Sequence, residues 1–312
     1  TQDVTITVSG TNDDPTITID GTDDAGSVTE DATTPTLSDT GTINFNDVDL
    51  TDAHTTSVDP AVGNTLGGTL TMGTPSEDAD TEPGSVGWTY EVANSAVQYL
   101  AVGETATEVF TVTIDDGNGG SITQDVTITV SGTNDDPTIT GAIDDQGFTE
   151  LVDASAQDLS ASGTLSFTDI DETDVIDVSY SLTSPTTWSG GTIDAGLAAI
   201  LEAGFSISGT DLAAPGSVGW TYNAEDLNLD FLAKDETIQL SYTVTIDDGH
   251  TGGTDTDTVT ITITGTNDGP VIQEPQEFGS VTEAGTDDSG TTVSGTSSTN
   301  GTFTAVDLDH NA

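Results

Sequence analysis

One segment of this chain occurs twice without a single change, and this repetition constrains the fold more than any other feature. Residues 2–18, QDVTITVSGTNDDPTIT, return as residues 124–140, and a near copy, TVTITITGTNDGPVI, occupies residues 258–272. The prolines of the three copies stand 122 and 133 residues apart. A period of that length is the size of a whole domain, whereas the units of a solenoid are much shorter. The sequence therefore predicts compact domains linked in series.

Shorter segments recur in the same order between these prolines and define the extent of each unit. They are SVTE at 27–30 with GFTE at 147–150 and SVTE at 280–283, FNDVD at 45–49 with FTDID at 167–171, PGSVGWTY at 83–90 and 215–222, and TVTIDDG at 111–117 and 243–249. We therefore divide the chain into the last strand of a preceding repeat (1–14), two complete repeats (15–136 and 137–269) and the truncated start of a third repeat (270–312).

The local pattern is typical of β-strands. Val126, Ile128 and Val130 alternate with Thr127 and Thr129, which places the apolar side chains on one face of a half-buried strand. Many short strands of this kind, separated by turn residues, predict an all-β fold of antiparallel β-sandwich domains stacked end to end. The one helical pattern lies at residues 195–203.

Each complete unit carries a Trp-x-Tyr pair at the same place. Trp88 and Tyr90 share one strand face, as do Trp220 and Tyr222, so we interpret all four rings as core anchors. The alternative is a carbohydrate-binding module that stacks sugars on Trp88 or Trp220, which requires these rings to be exposed.

Charge restricts the partners of the chain. It has 55 Asp and Glu against 1 Lys or Arg, a formal net charge of −54. A surface of this kind repels nucleic acid and anionic membranes, so we exclude both as partners. A compact state also requires high salt or bound multivalent cations to offset the repulsion.

Because Cys is absent, disulfides and thiolate metal sites are excluded, and a bound metal is the alternative means of stabilising small extracellular domains.

Each unit ends on Asn-Asp followed by Asp-Pro or Gly-Pro, and the proline cannot continue a strand ladder. Carboxylates clustered at such a boundary are unfavourable unless a cation lies among them. Calcium takes six to eight oxygen ligands, more than one linker supplies, so the flanking domains must contribute the others. We name the three sites the N-terminal junction (Asn12, Asp13, Asp14, Pro15), the central junction (Asn134, Asp135, Asp136, Pro137) and the C-terminal junction (Asn267, Asp268, Gly269, Pro270), each with the residues that contact it.

Residues 111–139, TVTIDDGNGGSITQDVTITVSGTNDDPTI, resemble the end of a VCBS repeat, a module of giant bacterial adhesins of the RTX type that are exported by type I secretion. They also resemble, more distantly, the end of a cadherin repeat. The resemblance covers nearly the whole chain and implies cadherin-like or immunoglobulin-like β-sandwiches with calcium between them. It further implies secretion of an unfolded chain that folds outside the cell.

The cadherin pattern implies a set of calcium ligands for each junction. For the C-terminal junction it leaves two alternatives open, Ala305 with Asp307 or Asp307 with Asp309. We add the neighbouring carboxylates Asp115, Asp136 and Asp247 to the candidates. The implied sets are Asn12, Asp13, Asp14, Asp47 and Asp49 (N-terminal junction), Glu30, Asp116, Asn134, Asp135, Asp169 and Asp171 (central junction), and Glu150, Asp248, Asn267 and Asp268 (C-terminal junction).

The chain departs from the cadherin pattern in two ways. Gly132 and Gly265 stand where cadherins place an Asp two residues before the linker Asn, and each linker is one residue shorter before its proline. The number of ions per junction therefore stays open.

These observations favour a role in extension and adhesion over catalysis. The sequence contains no Gly-x-Ser-x-Gly motif and no P-loop, and we interpret His54, His250 and His310, each in an Asp-rich loop, as solvated. We predict a non-enzymatic, calcium-binding region of a secreted or cell-surface bacterial protein that supports adhesion or a biofilm matrix. Its expected partners are calcium and neighbouring repeats, with self-association or glycans as further candidates. A filament or sheath subunit is the other alternative, which a monomeric state in calcium would argue against.

Overall fold

The computed structural model shows a chain whose regular secondary structure is nearly all β-strand and whose two complete units are separate sandwiches. It describes residues 1–31, 33–78, 81–152, 156–209, 212–273, 279–296 and 298–310. Each sandwich encloses its own cluster of buried apolar side chains, which confirms the predicted all-β sandwich class.

The first sandwich consists of two facing sheets. One sheet has the strand order β1-β3-β7-β5, with β6 beside β7, and the other has the order β2-β9-β8-β4. The 3₁₀ turn Asn94–Ala96 follows β7. The strands are β1 (Thr16–Thr18), β2 (Ala25–Thr29), β3 (Thr36–Asn46), β4 (Thr55–Pro60), β5 (Thr69–Met72), β6 (Ser76–Asp78), β7 (Thr81–Ala93), β8 (Thr105–Asp115) and β9 (Ser121–Ser131).

The second sandwich repeats this plan with one added helix. Its strands are β10 (Thr138–Gly141), β11 (Gln146–Thr149), β12 (Gln157–Thr168), β13 (Val175–Trp188), β14 (Phe205–Ser208), β15 (Leu212–Ala213), β16 (Gly216–Leu227), β17 (Thr237–Asp247) and β18 (Thr254–Thr264). The sheet orders are β10-β12-β16-β14 and β11-β18-β17-β13-β15.

The helical pattern at residues 195–203 forms α1 (Ala195–Glu202), as predicted. Its N-terminus is capped by Asp194, whose carboxylate accepts hydrogen bonds from the backbone of Gly196 and Leu197. No helix in the described part of the chain has the length and apolarity that crossing a bilayer demands.

Among the described residues, strand pairing is antiparallel except at one position in each sandwich. β2 pairs in parallel with β9 (Ala25 opposite Thr127), and β11 pairs in parallel with β18 (Gln146 opposite Ile261). The two strands of a parallel pair end at the same edge of the sheet. The residues that follow β2 and β9, or β11 and β18, are therefore brought together at the exit of each sandwich.

The aromatic side chains of the two Trp-x-Tyr pairs lie in the core, as the sequence predicts. Trp88 and Trp220 are 2% and 4% exposed, and Tyr90 and Tyr222 are fully buried. The indole N–H of Trp88 donates to the backbone oxygen of Asp23 over 2.7 Å. Burial of these rings removes the surface that sugar stacking on Trp88 or Trp220 requires.

The outer segments of the chain form little structure. Residues 1–14 form no strand in this structure, although residues 2–9 match part of β9 in sequence, and their assignment to a preceding repeat stays a prediction. Val8 is 89% exposed whereas its counterpart Val130 is fully buried, because β9 pairs with β8 and β2 and residues 1–14 have no neighbouring strand. No described residue from 271 to 310 is buried. That part contains β19 (Val271–Ile272), which pairs with β22 (Ala305–Val306), and β20 (Gly285–Thr286), which pairs with β21 (Thr292–Val293).

Candidate metal centres at the junctions

At each junction, one hydrogen bond ties the linker to the unit that follows it and a second orders the Asp-x-Asp pair of that unit. In the central junction, the backbone N–H of Asp135 donates to Asp171 Oδ2 over 2.9 Å, and that of Asp171 donates to Asp169 Oδ1 over 3.0 Å. The equivalent bonds run from Asp13 to Asp49 (2.8 Å) and from Asp49 to Asp47 (2.8 Å), and from Asp268 to Asp309 (3.2 Å) and from Asp309 to Asp307 (3.2 Å). Each Asp-x-Asp pair is therefore held against its linker in the same way.

The C-terminal junction uses the second of the two alternatives left open by the sequence, Asp307 with Asp309. In the second sandwich, Phe167 pairs with the strand that follows the linker, and in the third unit Ala305 takes that place. The third unit is thus displaced by two residues relative to an alignment on its phenylalanine. Phe303 is 73% exposed.

Asp116 and Asp248 lie at different junctions from those that the cadherin resemblance implied. The side-chain amide of Asn12 donates to Asp116 Oδ2 over 2.9 Å, and that of Asn134 donates to Asp248 Oδ2 over 3.0 Å. Asp116 follows β8, which runs the length of the sandwich away from the central junction. The assignments of Asp116 to the central junction and of Asp248 to the C-terminal junction are therefore wrong, and each residue belongs to the junction at the entry of its own sandwich.

Each of the two sandwiches contributes one buried glutamate to the junction that follows it. Glu30 is 1% exposed and Glu150 is 2% exposed. Glu30 Oε2 accepts the backbone N–H of Thr133 over 3.0 Å, and Glu150 Oε2 accepts that of Thr266 over 2.8 Å. These contacts follow directly from the parallel pairing of β2 with β9 and of β11 with β18.

Several carboxylates at the junctions were not among the residues predicted from the sequence. Asp52 and Asp174 each follow an Asp-x-Asp pair by three residues, a recurring spacing that could have identified them. Glu104 Oε1 accepts the hydroxyl of Thr173 across the central junction over 3.0 Å. Asp230 has no acidic counterpart in the first unit, so no repeat comparison would have selected it.

Among the residues that the structure describes, three groups of carboxylates approach one another closely enough to share a cation. Within each group, one oxygen from every residue lies within 4.8 Å of the others. The groups are Asp47, Asp52 and Asp116 at the N-terminal junction, Asp169, Asp174 and Asp248 at the central junction, and Glu150, Asp230 and Asp268 at the C-terminal junction.

Many oxygens at the central junction are buried and accept no hydrogen bond from the described residues. These atoms are Asn134 Oδ1, Asp135 Oδ2, Asp169 Oδ2 and Asp171 Oδ1. A buried polar atom without a partner costs about 1–3 kcal/mol, and more when it is charged. The one Lys or Arg of the chain, Lys234, is exposed, and no ion pair among the described residues joins it to these carboxylates.

Burial and mutual repulsion alter the proton affinities of these carboxyls. Burial, followed by repulsion from Asp174, Asp135 and Asp169, raises the pKa of Asp171 to about 6. Burial likewise raises the pKa values of Asp135, Asp169 and Asp174. The shifts show that the ion-free central junction holds its negative charge unfavourably.

At the C-terminal junction, burial is also the largest cause of the raised pKa of Glu150 and of Asp309. The N-terminal junction differs, because the hydrogen bond from Asn12 and the backbone N–H groups of the following turn lower the pKa of Asp116. That carboxyl stays charged without an ion.

The remaining candidates lie at the periphery of the junctions. Asp115 Oδ1 accepts the backbone N–H of Gly117 over 2.8 Å, and Asp247 Oδ1 accepts that of Gly249 over 2.7 Å, so both carboxylates cap turns. The side chains of Asp14, Asp136 and Asn267 are exposed.

The three histidines contact acids rather than only solvent, so the interpretation of them as solvated needs correction. His54 is buried between two carboxylates, with Nε2 3.1 Å from Asp47 Oδ2 and Nδ1 3.2 Å from Glu77 Oε2. His250 Nε2 lies 3.6 Å from an oxygen of Asp174. His310 Nδ1 lies 3.0 Å from Glu236 Oε1.

Close backbone contacts explain the first departure from the cadherin pattern, the glycines at positions 132 and 265. A Cβ atom on Gly132 would lie 1.9 Å from the backbone oxygen of Leu100, and one on Gly265 would lie 2.5 Å from that of Leu232. An Asp cannot occupy either position, because the end of β9 or β18 passes too close to the turn before the adjacent strand.

We expect Gly132→Ala and Gly265→Ala each to lower the free energy of unfolding by about 1–3 kcal/mol, the usual cost of overpacking. Gly63→Ala is the control, because a Cβ there would meet no atom within 4 Å. Urea denaturation followed by tryptophan fluorescence measures all three variants, and an equal loss in the control would contradict the explanation.

Comparisons with known proteins find distant similarities only. No family model matches the chain, and no curated protein matches it. Protocadherin gamma B2 extracellular cadherin domains 1–5 superpose at 13% identity and a TM-score of 0.39, covering 82% of this chain and 40% of that one. Protocadherin gamma B7 domains 1–4 superpose at 14% identity and 0.36, covering 86% and 55%. The sialic acid binding region of a Streptococcus sanguinis adhesin superposes at 9% identity and 0.28, covering 82% and 79%. The fold stated above rests on the strand pairing of this chain.

Proposed function

We propose that this chain is a calcium-stiffened extender of a large secreted or cell-surface bacterial protein, serving adhesion or a biofilm matrix. In this proposal residues 15–136 and 137–269 are successive repeats, and calcium fixes the angle between them. Export as an unfolded chain by type I secretion, followed by folding outside the cell, belongs to the same proposal through the resemblance to VCBS repeats.

The observation that carries the proposal is the donor set of the central junction. Oxygens from the linker residues Asn134 and Asp135 are buried beside Asp169 and Asp171 of the second sandwich, and they accept no hydrogen bond from the described residues. All of these donors are carboxylate or amide oxygens, the ligands that calcium takes in numbers of six to eight. The residues therefore fit calcium better than a transition metal, which favours nitrogen and sulfur.

The chain itself performs three tasks at this junction. The hydrogen bond from Asp135 to Asp171 holds the linker against the second sandwich. The bond from Asn134 to Asp248 fixes the amide so that its Oδ1 remains available. Glu104 and Thr173 join the two sandwiches across the junction. Calcium would supply the positive charge that these groups lack, and an ion that binds only the folded junction stabilises it by mass action.

Replacing Asp169 and Asp171 by Asn together is expected to weaken calcium binding at the central junction at least tenfold. Loss of even an outer-shell partner costs about 10–100-fold in metal affinity, so loss of two direct ligands costs no less. Isothermal titration calorimetry with calcium at pH 7.5 and fixed ionic strength measures the change.

The matched control is Asp59→Asn with Asp125→Asn, which removes the same charge from two exposed positions on β4 and β9. If the net negative charge of the chain alone governed calcium binding, both double variants would give the same isotherm. That result would show that an acidic surface, rather than a junction site, attracts calcium.

A further inference from the structure

The central and C-terminal junctions differ at one equivalent position, which is Gln98 in the first sandwich and Asp230 in the second. Two pairs of backbone hydrogen bonds establish the equivalence. Leu100 donates to Val97 over 3.1 Å as Leu232 donates to Leu229 over 2.9 Å. The oxygens of Tyr99 and Phe231, the residues that follow Gln98 and Asp230, each accept an N–H from the next unit, donated by Glu172 (3.4 Å) and His310 (3.0 Å).

At the central junction, the Gln98 side chain satisfies the buried glutamate. Its Nε2 donates to Glu30 Oε1 and, over 3.1 Å, to the backbone oxygen of Asp31. Both neighbours are acceptors, so the nitrogen of the amide must face them. Because Glu30 Oε2 accepts the N–H of Thr133, both oxygens of this carboxylate have protein donors.

At the C-terminal junction, the corresponding residue is Asp230, whose ionised side chain cannot donate a hydrogen bond. Glu150 is 2% exposed, and its Oε1 accepts no hydrogen bond from the described residues. The position of the amide is taken by the carboxylate of Asp230, and oxygens of Glu150, Asp230 and Asp268 lie within 4.8 Å of one another. Three buried carboxylates at this distance repel one another strongly unless a cation lies among them.

Resting on the proposed function, we infer that the C-terminal junction has a calcium site beside its buried glutamate that the central junction lacks. The Glu150, Asp230 and Asp268 group takes one ion on the side of the second sandwich, whereas the amide of Gln98 fills the equivalent place at the central junction and no ion binds there. The identity of residue 98 or 230 therefore sets the ion count of its junction.

Reciprocal substitutions test this inference on the full chain. Equilibrium dialysis counts the calcium bound per chain for wild type, Asp230→Gln and Gln98→Asp. We expect one ion fewer in Asp230→Gln and one ion more in Gln98→Asp, since the second change recreates the carboxylate group with Glu30 and Asp135. The controls are Asp59→Asn for the lost charge and Ser181→Asp, at the exposed centre of β13, for the added charge; both should keep the wild-type count.

Terbium emission excited through tryptophan gives a second measurement, specific to the C-terminal junction. Trp188 packs against Phe231, the neighbour of Asp230, with ring centroids 4.8 Å apart, and its indole N–H donates to Glu236 Oε2 over 3.2 Å. Sensitised emission should be strong in wild type and Gln98→Asp and largely lost in Asp230→Gln.

The outcomes separate this inference from the proposed function. A wild-type chain that binds no calcium overturns both. A wild-type chain that binds calcium, with unchanged counts in Asp230→Gln and Gln98→Asp, overturns the inference alone. If circular dichroism shows that Asp230→Gln fails to fold, Gln98→Asp decides the question. An additional bound ion in that variant supports the inference, and an unchanged count overturns it.

Discussion

Removing calcium at constant, low ionic strength is expected to lower the melting temperature of the chain by about 10–20 °C. An ion present at a thousand times its dissociation constant stabilises the folded state by about 4 kcal/mol, and 1 kcal/mol shifts the melting temperature of a domain of this size by about 3–5 °C. Magnesium should restore only part of the loss, because it requires six near-octahedral ligands. Differential scanning calorimetry measures the effect, and an unchanged melting curve in the ion-free chain would contradict the junction sites.

The pH dependence provides an internal control for this prediction. In the ion-free chain, the pKa of Asp171 is about 6, above the ordinary value for Asp of about 3.9. The folded state therefore binds more protons than the unfolded state between about pH 4 and 6, and ion-free stability rises as pH falls through 6. Calcium requires the deprotonated carboxylates, so stability in calcium falls over the same range. The gap in melting temperature between the two conditions should narrow from pH 7.5 to 5.5, and a constant gap would count against ligation by these groups.

The second large effect is expected in the shape of the chain. Strands of eleven residues span about 35 Å, so two sandwiches in series with a fixed junction form a rod of about 70–80 Å. Without calcium, the carboxylates at the central junction repel one another and the linker should hinge while each sandwich keeps its own core. Small-angle scattering should show a longer, narrower distribution of distances in calcium than in the ion-free chain.

The variants used for calcium titration also control this experiment. In saturating calcium, the chain with Asp169→Asn and Asp171→Asn should scatter like the ion-free wild type, and the chain with Asp59→Asn and Asp125→Asn should scatter like the calcium-loaded one. The same compact particle in every condition would mean that the junction does not control the shape.

Much of this fold can be predicted from the sequence because its determinants are local and repeated. The alternation in residues 125–130 specifies β9, and the Trp-x-Tyr pairs specify core positions, since a strand places alternate side chains on opposite faces. The exception is instructive. Residues 2–9 carry the same letters as β9 and form no strand, because strand formation also depends on neighbours that a local pattern does not contain.

The junctions could be predicted only in part. Which residues meet at a junction depends on which end of the sandwich each strand reaches, and the sequence does not show this directly. Asn134, Asp135, Asp169 and Asp171 meet as expected from their order along the chain. Asp116 does not join them, because β8 carries it to the opposite end of the first sandwich. The contrast between Gln98 and Asp230 becomes meaningful only when the contacts of Glu30 and Glu150 are compared.

The parallel pairing of β2 with β9 also determines how a tether built from these units would carry load. The chain enters the sandwich at one end and leaves after β9 at the other, so tension between the two ends pulls β2 and β9 in opposite directions along their length. The hydrogen bonds between parallel strands lie across this direction, and those linking residues 25–29 to 127–131 must therefore fail together rather than one after another. β11 and β18 repeat the arrangement in the second sandwich. Each unit thus has a mechanical clamp between a strand near its entry and the strand at its exit.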